Sequence, residues 1–109
     1  MNLKYNIDIN PAAVKKTLEK LVNETYKLLP NREEGIDWQK PLDTIMEELA
    51  GMSRLFISHR TTFFTILCKL EGLYTLQNEK DFFLFRRTIF ECLNLMGVLI
   101  KHVNKEFKN

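Results

Sequence analysis

Apolar side chains recur every three or four residues along most of this chain, which is the spacing of one face of an α-helix. The pattern predicts four helices, over about residues 11–29, 41–57, 62–76 and 79–107. The chain has only four glycines and three prolines among 109 residues, fewer than the frequent turns of a β-sheet domain require. We therefore expect one all-α domain, residues 1–109, folded as a compact four-helix bundle.

Capping residues and proline refine the helix boundaries. Asn10 precedes Pro11, and Asn at the cap followed by Pro at the first helical position favours a helix start. Asp37 is predicted to cap the second helix. Pro30 predicts the end of the first helix, with a polar loop over residues 31–40.

A short extended arm is predicted ahead of the first helix. Residues 1–10 alternate apolar and polar side chains, the period-two pattern of a half-buried extended segment. The rest of the chain has no strand pattern to pair with it, and a lone strand leaves its backbone groups unpaired. We expect the arm to lie on the bundle or to add to another chain's strand, with Tyr5, Ile7 and Ile9 as contacts.

The fourth predicted helix is apolar over more of its circumference than one core requires. One seam, which includes Ile89, is complemented by a second flank that contains Phe83, Phe90, Leu95 and Val98. A helix that is apolar nearly all round lies at the centre of a bundle or is shared with another subunit. We predict that the second flank contacts a protein partner, and we favour a second copy of this chain.

Charge and composition narrow the partners and the location. The chain has 16 basic and 14 acidic residues, a balance that does not require nucleic acid or an anionic membrane as a partner. No signal peptide or transmembrane span is apparent. Cys68 and Cys92 lie in apolar runs, and we expect two buried thiols rather than a disulfide framework. These features favour a cytoplasmic protein without membrane contact.

No metal or cofactor site is expected. Di-iron bundles use Glu-x-x-His pairs, but Phe56 and Leu99 stand three residues before His59 and His102. The chain has no Cys-x-x-Cys spacing for zinc. Its glycines are isolated, so no phosphate-binding loop is predicted.

Basic residues support nucleic-acid binding as an alternative function. Arg86 and Arg87 follow a run rich in phenylalanine, and basic residues among aromatic ones can bind single strands. The same spacing is typical of a helix core, and the helix dipole favours cations near the end of the fourth helix. The candidate contacts are Arg54, Arg60, Arg86, Arg87, Lys101 and Lys105.

A six-residue segment, Arg54-Leu-Phe-Ile-Ser-His59, resembles the Arg-x4–6-His element of HEPN-type all-α ribonucleases. In those enzymes an Arg and a His, often from two subunits, surround the scissile phosphate. The resemblance implies that Arg54 stabilises phosphate charge and that His59 transfers a proton. The structural alternative is a solvated or ion-paired Arg54 and a His59 that belongs to a turn.

The leading prediction is a small, non-catalytic protein–protein interaction module, such as an adaptor, a regulator or an accessory subunit. It rests on the apolar excess of the fourth helix and on the unpaired arm. A nucleic-acid-binding accessory protein and a ribonuclease are the alternatives. A small-molecule pocket within the aromatic-rich third and fourth helices fits the sequence as well.

Overall fold

Four long helices and one short helix make up most of residues 10–103, the part of the chain that the computed structural model describes. This part of the chain is an all-α four-helix bundle, as predicted. The expected contacts Tyr5, Ile7, Ile9 and Lys105 lie outside the described residues. The helices are α1 Pro11–Tyr26, α2 Leu28–Glu33, α3 Gln39–Ser53, α4 Arg60–Leu73 and α5 Phe82–Lys101, with a 3-10 turn at Glu79–Asp81.

The long helices run up, down, up and down. Helix α1 packs against α3 and α5, and α4 packs against the same two helices. Contacts between the end of one helical segment and the start of another establish the antiparallel order. They are Tyr74 with Asp43, His59 with His102, and Arg32 with Phe82.

Helix α5 supplies the largest share of the core. Its seam is fully buried and meets the buried stripes of α1, α3 and α4. Burying one such apolar side chain contributes about 1.5–3 kcal/mol, so this seam is a main source of the bundle's stability. The buried residues of α5 are Phe85, Ile89, Cys92, Met96 and Leu99.

Helix α1 ends at Tyr26 rather than near residue 29, and Pro30 lies inside the short helix α2. Proline has no N–H to donate to the carbonyl four residues earlier, which here belongs to Tyr26, and its ring clashes with that carbonyl. A continuous helix therefore breaks near Lys27, and Pro30 falls in the first turn of α2, where its missing N–H costs nothing. Pro30 therefore ends α1 at Tyr26, the residue whose carbonyl receives no N–H donor from Pro30, and not at Pro30 itself.

The remaining helix ends also differ from the predicted ranges. Helix α3 begins at Gln39, because the Asp37 side chain accepts a hydrogen bond from the Gln39 N–H at 2.9 Å. It ends at Ser53, and α4 occupies Arg60–Leu73 rather than 62–76. Phe56 lies beyond α3 in the connecting turn, yet it is fully buried.

One of the two expectations about cysteine burial was wrong. Cys68 is exposed, whereas Cys92 is buried. Cys68 follows Phe64 by one turn of α4, and Phe64 is itself exposed, so both lie on the outer side of that helix. An apolar run around a residue therefore misled the prediction, because the side of the helix decides burial.

Candidate interaction surfaces

A row of apolar side chains faces outward along α5. Phe83, Phe90 and Val98 are 81%, 38% and 42% exposed, and they follow one another at intervals of about two helical turns. Leu95, predicted to belong with them, is half-buried and packs against the core. We call Phe83, Phe90 and Val98 the outer α5 surface.

The middle of the outer α5 surface is already an aromatic cluster. The ring of Tyr26 on α1 meets the edge of Phe90, with centroids 6.4 Å apart, and Tyr26 is 51% exposed. The guanidinium of Arg86 lies 5.1 Å from the centre of the same ring. These contacts hold Phe90 in place and leave 38% of it exposed.

A small charge network lies beside this cluster. Glu91 accepts from Lys69 Nζ on α4 at 3.0 Å, and Arg87 Nε lies 3.6 Å from its other oxygen. The hydrogen bond and charge of Lys69, followed by Arg87, hold the pKa of Glu91 below its usual value. Arg87 is thus engaged within its own helix, and Arg86 lies over a ring. Both arginines therefore already have a partner within the chain.

One end of the bundle has no carboxylate among the described residues. The sequence contains no Asp or Glu over residues 10–18, 49–70 and 92–103. The antiparallel order brings the start of α1, the end of α3, the start of α4 and the end of α5 to that same end. We call it the basic end. Its cations are Lys15, Lys16, Arg54, Arg60 and Lys101, and its histidines are His59 and His102.

A groove between the end of α3 and the start of α4 opens at the basic end. It encloses a cavity of about 400 Å³, and we call it the α3–α4 groove. Within residues 10–103, the side chains of Arg54 and Arg60 make no ion pair or hydrogen bond. Phe64 is 67% exposed. The lining residues are Ser53, Arg54, Arg60, Phe63, Phe64 and Leu67.

His59 is not among the residues that line this groove. Its ring lies 5.2 Å from that of His102 at the end of α5 and 6.3 Å from that of Phe56. The two residues of the ribonuclease-like element, Arg54 and His59, therefore occupy different surroundings. Arg54 lines the α3–α4 groove together with Arg60. The sequence predicted both as candidate nucleic-acid contacts, but it did not predict that they share a groove.

Arg32 organises the opposite end of the bundle and was missed by the sequence analysis. Its guanidinium donates to the Leu76 carbonyl at 2.8 and 3.2 Å and to the Asn78 carbonyl at 2.7 Å. It also lies 4.8 Å from the centre of the Phe85 ring. The sequence signal for this role was the position of Arg32 one helical turn after the apolar Leu28, which places its side chain towards the core. The cavity there, about 560 Å³, includes Arg32, but its donors already serve the protein's own carbonyls.

Two groups, the buried Cys92 thiol and the half-buried Tyr74 phenol, have raised pKa values and little capacity for catalysis. Burial raises the pKa of the Cys92 thiol to about 12, and a protonated thiol is a poor nucleophile. Burial, followed by its hydrogen bond to Asp43, raises the pKa of the Tyr74 phenol. Both groups are therefore protonated at neutral pH and act as structural donors.

No family model, curated protein or solved structure matches the chain. Over residues 10–103, no group of three or more His, Cys, Asp and Glu side chains is arranged to hold a metal ion. In the same part of the chain, no helix combines the length and the apolarity that crossing a bilayer requires. Among the described residues, the outer α5 surface and the basic end are the features that bear on function.

Proposed function

We propose that the chain is a non-catalytic helical interaction module that pairs with a second copy of itself through the outer α5 surface. The observation that carries this proposal is the exposure of Phe83 beside Phe90 and Val98 on the longest helix. Exposed apolar residues that share one helix face mark a contact surface more often than isolated ones do. In this proposal the chain acts as an adaptor, a regulator or an accessory subunit.

The spacing of the three residues suits an antiparallel pair of α5 helices. A two-fold axis through Phe90 sets Phe83 of one copy opposite Val98 of the second copy. These residues lie seven and eight positions from Phe90, or about 10 and 12 Å along a helix that rises 1.5 Å per residue. The two Phe90 rings then meet at the axis, and each of the three side chains of the outer α5 surface gains an apolar partner.

Charge complementarity supports the same antiparallel arrangement. Lys101 follows Phe90 by eleven residues, and Glu79 precedes it by eleven. The two-fold axis therefore brings Lys101 of one copy against the Glu79–Asp81 turn of the other. A parallel pairing would set like charges together. The antiparallel pair is closed, since both copies use the same surface.

The available area predicts a modest affinity. An aromatic side chain buries about 150–250 Å², so three apolar residues and their charged rim stay below the roughly 800 Å² per partner of a standard interface. We therefore expect a dissociation constant in the micromolar range. The assay must span protein concentrations from about 1 to 500 μM.

Sedimentation equilibrium tests the proposal. The wild-type chain should approach twice its 12.9 kDa mass as concentration rises, whereas the double variant Phe83→Ser, Phe90→Ser should stay monomeric. Phe64→Ser is the control, because it removes another exposed ring, on α4, and should leave the dimer intact. Far-ultraviolet dichroism confirms the fold of each variant. A wild type that stays monomeric throughout this range would refute the proposal.

The proposal takes the cytoplasm as the location of the protein. Cys68 and Cys92 are both unpaired thiols, and the cytoplasm keeps thiols reduced. Fractionation of native cells with an antibody against the chain tests this point. Recovery from an oxidising compartment would contradict it.

The ribonuclease interpretation stays a prediction with its own test. It requires Arg54 and His59 around one phosphate, and only Arg54 lines the α3–α4 groove. If it holds, Arg54→Ala and His59→Ala should each abolish cleavage of single-stranded RNA by the purified chain. Full cleavage by either variant, or none by the wild type, would rule it out.

A further inference from the structure

We infer that the α3–α4 groove binds a nucleotide unit, with its phosphate on Arg54 and Arg60 and its base against Phe64. The groove lies on the side of the bundle formed by α3 and α4, away from the outer α5 surface. This binding site is therefore independent of the proposed self-association.

The pair of arginines identifies the anion. Each guanidinium is a planar fork with five N–H donors, and neither side chain is engaged by another described residue. A carboxylate is satisfied by one such fork. A phosphate monoester carries more charge and three terminal oxygens, so it can accept from both. Two unengaged guanidiniums on one cavity therefore favour phosphate.

Phe64 identifies the rest of the ligand. It lies four residues after Arg60 on α4, so the two side chains are neighbours on the helix surface. Its ring is two-thirds exposed beside an apolar floor that includes Phe63 and Leu67. An exposed ring beside an arginine is the arrangement that stacks a nucleobase while its phosphate is neutralised. The cavity of about 400 Å³ lies within the range of small-ligand sites.

The surroundings of the groove favour an anion over longer distances as well. No Asp or Glu occurs from residue 49 to residue 70, which covers every residue that lines the groove. The other helix ends at the basic end add Lys15, Lys16 and Lys101 without a described carboxylate. The charges of the described residues at this end therefore attract phosphate, and salt weakens this attraction.

Nuclear magnetic resonance titration of the isotope-labelled chain tests the inference at low salt. The probes are adenosine monophosphate, adenosine, inorganic phosphate and an eight-nucleotide adenosine RNA. Adenosine monophosphate should shift the amides around residues 53–67 and bind at least tenfold more tightly than adenosine or phosphate. If the RNA binds at these amides more tightly than adenosine monophosphate, the natural ligand is a nucleic-acid strand. If the two bind with equal affinity, the natural ligand is a free nucleotide. Both outcomes support the site.

Variants separate this site from general attraction to cations. Arg54→Gln and Arg60→Gln should each weaken binding about tenfold, and Phe64→Ser should weaken it about fivefold. Arg87→Gln removes the same charge elsewhere, and the double variant Phe83→Ser, Phe90→Ser removes rings elsewhere; both should bind as the wild type does. Inorganic phosphate binding as tightly as the nucleotide would overturn the inference, and so would equal losses for Arg54→Gln and Arg87→Gln. The inference also fails if an acidic peptide without phosphate binds the same amides more tightly.

Discussion

The two cysteines differ in what surrounds their sulfur atoms, and the surroundings set how each thiol reacts. Cys92 lies in the core, where burial raises its pKa to about 12 and its Sγ lies 4.0 Å from the Ile66 carbonyl. Cys68 lies on the exposed side of α4. The thiolate is the reactive form, and the reagent needs access to it. Cys92 is therefore protected both by its raised pKa and by its burial, whereas Cys68 is accessible to a reagent.

A thiol-specific chromogenic reagent should therefore modify one cysteine per folded chain. We expect a fast phase from Cys68 alone and reaction of Cys92 only after denaturant is added. Cys68→Ser should abolish the fast phase, and Cys92→Ser should leave it unchanged. Two equivalents reacting together in the native protein would contradict the burial of Cys92.

Tyr74 links α4 to α3 through its hydrogen bond to Asp43, and this link depends on pH. Its pKa is raised above the ordinary value of 10 in the folded state, so the fold favours the protonated phenol. The stabilisation is complete below the unfolded pKa and is lost as pH rises above about 10.

Urea unfolding of wild type and Tyr74→Phe between pH 8 and 11 should show this dependence. The wild type should lose stability above pH 10 more steeply than the variant, which has no phenol to ionise at this position. Tyr26 is retained in both proteins and serves as the internal control. Parallel losses in the two proteins would show that Tyr74 does not contribute.

At the scale of whole elements, Arg32 ties the short helix α2 to the connection between α4 and α5. One side chain satisfies the carbonyls of Leu76 and Asn78 and lies over two rings of α5. Hydrogen bonds from a charged donor contribute about 1.5–3 kcal/mol, and a cation over a ring about 0.5–2 kcal/mol. Without Arg32, the carbonyls of Leu76 and Asn78 would lose this hydrogen-bond donor.

We predict that Arg32→Ala lowers the free energy of unfolding by about 2–4 kcal/mol in guanidinium titrations. Arg32→Lys should recover only part of this loss, because one ammonium cannot reproduce the planar fork. Arg87→Ala, which removes an exposed arginine from α5, should change the stability little. Equal effects of Arg32→Ala and Arg87→Ala would contradict the structural role of Arg32.

The sequence predicted the helices well and their ends poorly, for physical reasons that differ. A helix such as α5 can be predicted because its buried residues recur at every third or fourth position, which is a local pattern in the sequence. The end of α1 depends on a carbonyl four residues before Pro30. At the start of α3, the Asp37 side chain accepts from the Gln39 N–H as the predicted cap does, but the helix begins two residues before the predicted boundary at 41. The burial of Phe56 outside any helix depends on tertiary packing against Phe63, which no local pattern contains.

At the scale of the whole molecule, the separation of charge arises from topology. Stretches of the sequence without acidic residues are visible, but only the up-down order brings three of them to one end. Arg54 and Arg60 could be listed from sequence because they are cations near a predicted turn. The exposure of Phe64 in the same groove could not be predicted, since its apolar neighbours suggested a core position.

The same separation of charge predicts how two copies orient. In the antiparallel pair, Lys101 of each copy faces Glu79 of the other, so the contact occurs twice. Exposed ion pairs are weak individually, and we expect Lys101→Glu or Glu79→Lys to raise the dissociation constant of the dimer only about two- to tenfold at 50 mM salt.

The double exchange Lys101→Glu, Glu79→Lys decides whether this contact exists. It restores opposite charges at both contacts, so sedimentation equilibrium should return an affinity near the wild-type value. Lys16→Glu carries the same change in net charge on α1 and should not weaken the dimer to the same extent. At 0.5 M salt the differences among all variants should shrink, because screening acts over a few ångströms. If the double variant associates more weakly than either single variant, the antiparallel arrangement is wrong, even if α5 remains the contact.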